Sequence, residues 1–164
     1  MAPPFDQSAY DAANAAAHAF YGNVKHIQSP LLGPVLFNSE GFMHLLFKDE
    51  VRKERRDIQN QLVRFRLLPL VPHVLSRLTH CQEYFEVLQR VDVKMNKERF
   101  HTMKLVRYWG FVAVVKNYKL RIQVVVRQVG EGSPHFWSVI PYWSTKHYKD
   151  VKKTALSKGD LVHD

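Results

Sequence analysis

The chain has 164 residues, 46% of them hydrophobic and 24% charged, the size and balance of one ordinary globular domain. Its 24 Lys and Arg against 15 Asp and Glu give a formal charge of +9, which favours an anionic partner, nucleic acid first. A single cysteine, Cys81, excludes an intramolecular disulfide framework and a cysteine-rich zinc site. No apolar run reaches the roughly 18 residues of a membrane span, and the opening MAPPFDQSAYDAANAAA has no basic-then-apolar leader. The expectation is one soluble, cytoplasmic domain over residues 1–164, without a membrane contact.

Residues 7–20 are rich in alanine and predict a helix that Gly22 and Asn23 break. Two prolines and a glycine between His26 and Val35 predict a turn-rich connection. Ser39, ahead of Glu40, Gly41 and Phe42, reads as the N-cap of a helix continuing through Leu45, Leu46 and Phe47. From Asp49 to Arg66 the chain is strongly charged, and Ile58, Leu62 and Phe65 fall on one helical face. Pro69 and Pro72 end that helix, and VLSRL predicts another short one.

The second half changes period. Val91, Val93 and Met95 alternate with Asp92 and Lys94 in the stretch 83–95, a half-buried strand signal. Residues 104–115 and 119–128 are β-branched and aromatic, with Asn117-Tyr118 as a turn between them. A longer turn at Gly130–Pro134 leads into HFWSVIPYW, which Pro141 closes. The fold class expected is α+β: N-terminal helices over about 1–80, packed on a four-stranded antiparallel sheet over about 83–143, then a short lysine-rich tail with a terminal helix from Ser144.

The charge is concentrated: residues 1–38 carry −1, residues 48–66 carry +3 and residues 90–127 carry +8. On the strand 119–128, Ile122, Val124 and Val126 share one face, while Arg121, Gln123 and Arg127 share the other with Val125. The first face suits a core and the second a phosphate, although exposed sheet faces commonly carry Arg and Gln without a ligand. On the next strand either Ser138 or Trp137 joins Arg127, and a one-residue slip decides which. His26 and His44, with His135 behind them, are the candidates for general acid or base, against the ordinary role of a histidine as a hydrogen-bonded structural residue. Arg52, Arg55, Arg56 and Gln59 read as one side of a helix, either a phosphate track or a salt-bridged surface among Glu50, Glu54 and Asp57. Arg64 and Arg66, without acidic neighbours, are better phosphate ligands. The sequence shows no glycine-rich phosphate loop, GxSxG elbow or HExxH metal spacing. No cofactor and no metal are expected, and Cys81 reads as a buried structural thiol.

The segments GNVKHIQSPLLGPVLFNSEGFMHL and KLRIQVVVRQVGEGSPHFWSVIPYW, together under a third of the chain, sit in a layout of leading helices followed by an antiparallel sheet. That layout resembles the barnase–EndoU–colicin–RelE class of metal-independent ribonucleases, in particular its phage-associated branch. The resemblance implies RNA as substrate, a toxin or host-takeover role and a neutralising protein partner. It implies catalysis by His26 or His44 from the helical half with Arg127 and Ser138 from the strands. Arg64, Arg66, Arg121, Gln123 and Trp137 would bind the nucleic acid. The alternative is a non-catalytic RNA- or DNA-binding module that uses the same sheet, with Tyr108, Trp109, Trp137 or Trp143 stacking on bases.

Overall fold

Helix α1 spans Gln7–Asn23, and the Asp6 carboxylate caps it by accepting from the Ala9 N–H. The computed structural model describes residues 4–49, 52–115 and 120–142. The predicted tail, the Asn117-Tyr118 turn and Trp143 lie outside these residues.

The stretch read as a connection is instead a hairpin, β1 (His26–Ser29) and β2 (Gly33–Leu36), paired antiparallel. The turn chemistry explains this. The Ser29 hydroxyl accepts from the N–H groups of Leu31 and Leu32, and Gly33 supplies the positive φ of 74° that closes the turn. Pro30 stands in the turn, and Pro34 lies within β2, so neither proline breaks the hairpin.

Helix α2 spans Ser39–Leu46, and its cap is Asn38 rather than Ser39: the Asn38 side chain accepts from the Gly41 N–H. The charged stretch after it is not one helix. It begins as a small hairpin, β3 (Phe47–Asp49) with β4 (Glu54–Arg55), and α3 starts only at Ile58, capped by Asp57. Aspartate outcompetes helix propagation here by satisfying the Asn60 N–H. Pro69 and Pro72 sit in the first turns of a 3-10 turn (Leu68–Leu70) and of α4 (Val71–Arg77), where no intrahelical N–H is needed.

The strands β5 (Glu83–Met95), β6 (Glu98–Val115), β7 (Leu120–Val129) and β8 (His135–Tyr142) form the expected antiparallel meander. The sheet, however, is six-stranded and mixed, in the order β1-β2-β8-β7-β6-β5, because β2 joins β8 in parallel at Leu36 and His135. The fold is α+β, but it is not a four-stranded antiparallel sheet. β6 also begins earlier than its apolar run suggests. Asn96 and Lys97 both have positive φ, which gives a tight two-residue turn and a 13-pair ladder with β5.

One sheet face carries the main core. Ile122, Val124, Val126, Phe136 and Val139 meet Phe42, Leu45, Phe65, Leu68 and Leu75 from the helices. β2 meets β8 only at its start, and α2 takes over the edge of β8 beyond that point. Gly41 permits this: a Cβ there would lie 2.2 Å from the Phe136 carbonyl oxygen and 2.6 Å from the Tyr21 hydroxyl. The Tyr21 hydroxyl in turn donates to the Asn38 carbonyl at 2.6 Å, which ties α1 to the start of α2.

Gly41→Ala is therefore expected to destabilise the protein by about 2 kcal/mol, a typical overpacking loss against backbone that cannot yield. Gly22→Ala, where a Cβ meets nothing within 4 Å, is expected to be stabilising by roughly 0.5–1 kcal/mol. Urea unfolding of both variants checks the pair.

Candidate functional site

The opposite sheet face opens into a cleft of about 760 Å³. Its floor is Tyr108, Arg127 and Trp137. One wall is α2 and the following hairpin, with Glu40, His44 and Arg52. The other wall is β5 with the facing part of β6, including Gln89, Val91 and Lys104. Among the described residues, six Lys or Arg side chains line the cleft against three carboxylates.

A β-bulge decides what faces the cleft. Val125 pairs with Ser138 and Val126 with Phe136, which leaves Trp137 as the extra residue. At such a bulge two successive residues oppose one, and normal alternation lapses. Trp137 and Ser138 therefore both leave the core face, instead of one or the other. Trp137 joins Arg127, whose guanidinium carbon lies 4.4 Å from the ring centroid. The His44 ring stacks on the same indole at 4.1 Å and 17°. Trp137 is thus packed by both Arg127 and His44.

Arg127 is the centre of the site. Its side chain is 10% exposed. Nε donates to the Tyr108 hydroxyl at 3.2 Å, and Nη1 lies 3.4 Å from Glu40 Oε2. Nη2 makes no hydrogen bond among the described residues. The Tyr108 hydroxyl in turn donates a hydrogen bond to Gln89 Oε1 at 3.0 Å. Glu40 itself is half exposed, in the first turn of α2, where the helix dipole favours a carboxylate.

His135 is the cross-strand partner of Arg127. Its ring is 5% exposed, and Nε2 lies 3.5 Å from the same Glu40 oxygen. That contact lacks hydrogen-bond geometry, so Nε2 is buried without a hydrogen-bond partner among the described residues. Burial pushes the imidazole down to about 4, and Arg127 adds to this; Glu40 and a backbone bond at Ser133 work in the opposite direction. His135 is therefore neutral at pH 7.

The other expected site residues divide as follows. His44 lines the cleft, but Arg56 holds it: Arg56 Nη2 lies 3.1 Å from His44 Nε2, and Arg56 Nε donates to the His44 carbonyl at 3.0 Å. A guanidinium only donates, so Nε2 accepts and is unavailable to a substrate proton. Ser138 is fully buried and accepts from Arg64 Nη1, while Arg64 Nε donates to Asn60 at 2.6 Å. That pair fastens α3 to β8 and lies away from the cleft lining. Gln123 is buried and donates to Glu83 at 3.0 Å. His26, Arg66 and Arg121 are exposed, and none of the three lines the cleft. Arg52, Arg55 and Arg56 do not share a helix face, because they precede α3: Arg56 is buried against His44, and Arg55 lies over Phe47. The Tyr108 ring is buried, Trp109 packs on the main core, and Cys81 is only half buried.

Glu40 and Gln89 were not singled out by sequence. Glu40 had a signal, since it stands four residues before His44 on a helix and so shares its face. Among the described residues no three His, Cys, Asp or Glu side chains form a metal-binding group, and no helix is long and apolar enough to cross a membrane. Comparison with protein-family models, curated proteins and solved structures gives no match to this chain.

The buried His135 generates a pH prediction. The unfolded chain takes up this proton near 6.5 and the folded one only near 4. Its contribution is complete above 6.5, falls as pH drops from 6.5 to 4, and is lost below. The stability difference between wild type and His135→Gln is expected to narrow by roughly 3 kcal/mol over that window, as read from denaturant unfolding at a series of pH values.

Proposed function

We propose that the cleft binds a phosphodiester of RNA on Arg127 and cleaves it without a metal, by attack of the neighbouring 2′-hydroxyl. The observation that carries this reading is the guanidinium itself. It is nine-tenths buried and held on an indole, its Nη2 makes no hydrogen bond among the described residues, and neither does the buried His135 Nε2, which lies near the same Glu40 oxygen. An anion is the natural complement of such a cation, and a charge-assisted bond there is stronger than a neutral one.

The flanking groups suit the proton transfers. The Glu40 and His135 pair takes the 2′-hydroxyl proton, and the freed oxygen forms its bond to phosphorus. The bond from phosphorus to the 5′-oxygen breaks, and the Tyr108 hydroxyl, on exchanging its hydrogen bond to Gln89 for one to the leaving oxygen, returns a proton to that oxygen. Arg127 stabilises the charge that accumulates on the phosphoryl oxygens between these events. This reading moves the acid–base role from His26 and His44 to Glu40 and His135, keeps Arg127, and gives Ser138 and Arg64 a supporting role. It agrees with the resemblance to metal-independent ribonucleases, and a toxin-like role with a neutralising partner belongs to the same proposal.

The test is fragmentation of total RNA in EDTA. Wild type is expected to cleave, and Arg127→Lys, which keeps the charge but loses the fork, to be slower by about 10²–10³-fold. Glu40→Gln is expected to slow cleavage by about 10²-fold or more without weakening binding. Absence of cleavage by wild type, with salt-sensitive RNA binding intact, would replace this reading by the binding module.

A further inference from the structure

The ladder between β6 and β7 ends at Val106 and Val129, yet β5 and β6 stay paired to Met95 and Glu98. Residues 88–105 therefore project past the sheet as a two-stranded arm, about 26 Å long over the eight residues of β6 beyond Val106. Cross-strand partners share a face. Val91 and Val93, which line the cleft, place their partners Thr102 and Phe100 on the cleft side of the arm. Phe100 is 49% exposed there, although no core lies within its reach. Lys104, opposite Gln89, stands at the root of the same face, and Gln89 accepts the Tyr108 hydroxyl bond beside Arg127. The arm carries five Lys or Arg against Asp92 and Glu98; three of the five, Arg90, Lys94 and Lys104, border the cleft, Lys104 on the face of Phe100 and the other two on its reverse.

We propose that this face of the arm is a single-strand subsite: Phe100 and Val93 receive the unpaired bases, and Lys104 receives the phosphate, of an RNA strand running on from Arg127. The inference rests on the ribonuclease reading for the position of that strand. Aromatic and apolar side chains interleaved with cations accept the faces of unpaired bases, and a duplex hides those faces by stacking them on one another. The charge balance of the arm complements a polyanion, and the surface is continuous with the Arg127 site. An acidic protein partner, the other occupant with matching charge, would have no need of a ring beside a phosphate-binding lysine.

A fluorescent 2′-O-methyl RNA of about eight nucleotides tests this. It has no free 2′-hydroxyl, so binding is read apart from cleavage. Phe100→Ala is expected to weaken binding about tenfold. Lys104→Ala is expected to weaken it and lower the salt slope by about one. Met103→Ala, on the opposite face, is expected to bind as wild type, and a duplex competitor to displace the probe poorly. Phe100 is exposed and Lys104 only half buried, so an unchanged thermal midpoint is expected for both variants. The inference is overturned if Phe100→Ala and Lys104→Ala bind as wild type, or if duplex competes equally. Cleavage by wild type alongside unaffected arm variants sinks the arm alone. Binding that depends on Phe100 without cleavage sinks the ribonuclease reading and leaves the arm. Neither binding nor cleavage by wild type sinks both.

Discussion

The close approach of α2 to the edge of β8 is the contact on which the rest of this structure depends. β2 covers only the first residue of β8, and an open strand edge is a liability. A helix fills the gap, and it can do so only because position 41 has no side chain. With its backbone against β8, α2 faces two ways at once. Phe42 and Leu45 reach the main core, while Glu40 and His44 reach round to the other sheet face. One short helix thereby supplies both core packing and a wall of the cleft.

The bulge at Trp137 completes that arrangement. Without it, strict alternation onward from Phe136 would keep Trp137 on the Arg127 face but send Ser138 to the core face and Val139 out of it. With it, His44, Trp137 and Arg127 form a stack, and a second buried arginine, Arg56, braces the stack from behind. Burying a guanidinium is costly unless it is well solvated by partners. Here the indole, the Tyr108 hydroxyl and Glu40 share that work, and Arg127 Nη2 makes no hydrogen bond among the described residues. The fold thus presents a cation that is oriented by its partners and ion-paired only at Glu40 among the described residues.

Periodicity made the meander legible. Val91 and Val93 are half buried between the exposed Asp92 and Lys94 as their alternation predicts, although Met95 at the end of the strand is exposed, and Ile122, Val124 and Val126 do form the core side of β7. The same logic picked out Arg127. It failed where local hydrogen bonding competes with periodicity: Asp57 stops the long charged stretch from being one helix, and Ser29 with Gly33 turns a proline-rich segment into a hairpin. It also failed for histidines, because what a ring can do depends on who holds its nitrogens. His44 and His135 look alike in sequence. In the structure Arg56 takes Nε2 of the first, while the buried Nε2 of the second makes no hydrogen bond among the described residues.

By itself the sequence determined the α+β class, the position of the basic charge, and the two faces of β7, since these follow from composition and from a side-chain period of two. Tertiary structure alone decided the parallel joining of β2 to β8, the bulge that takes both Trp137 and Ser138 off the core face, and the placing of Glu40 and His135 beside Arg127. Each of these is a contact between residues far apart in the chain, fixed by packing and hydrogen-bond satisfaction rather than by any local preference.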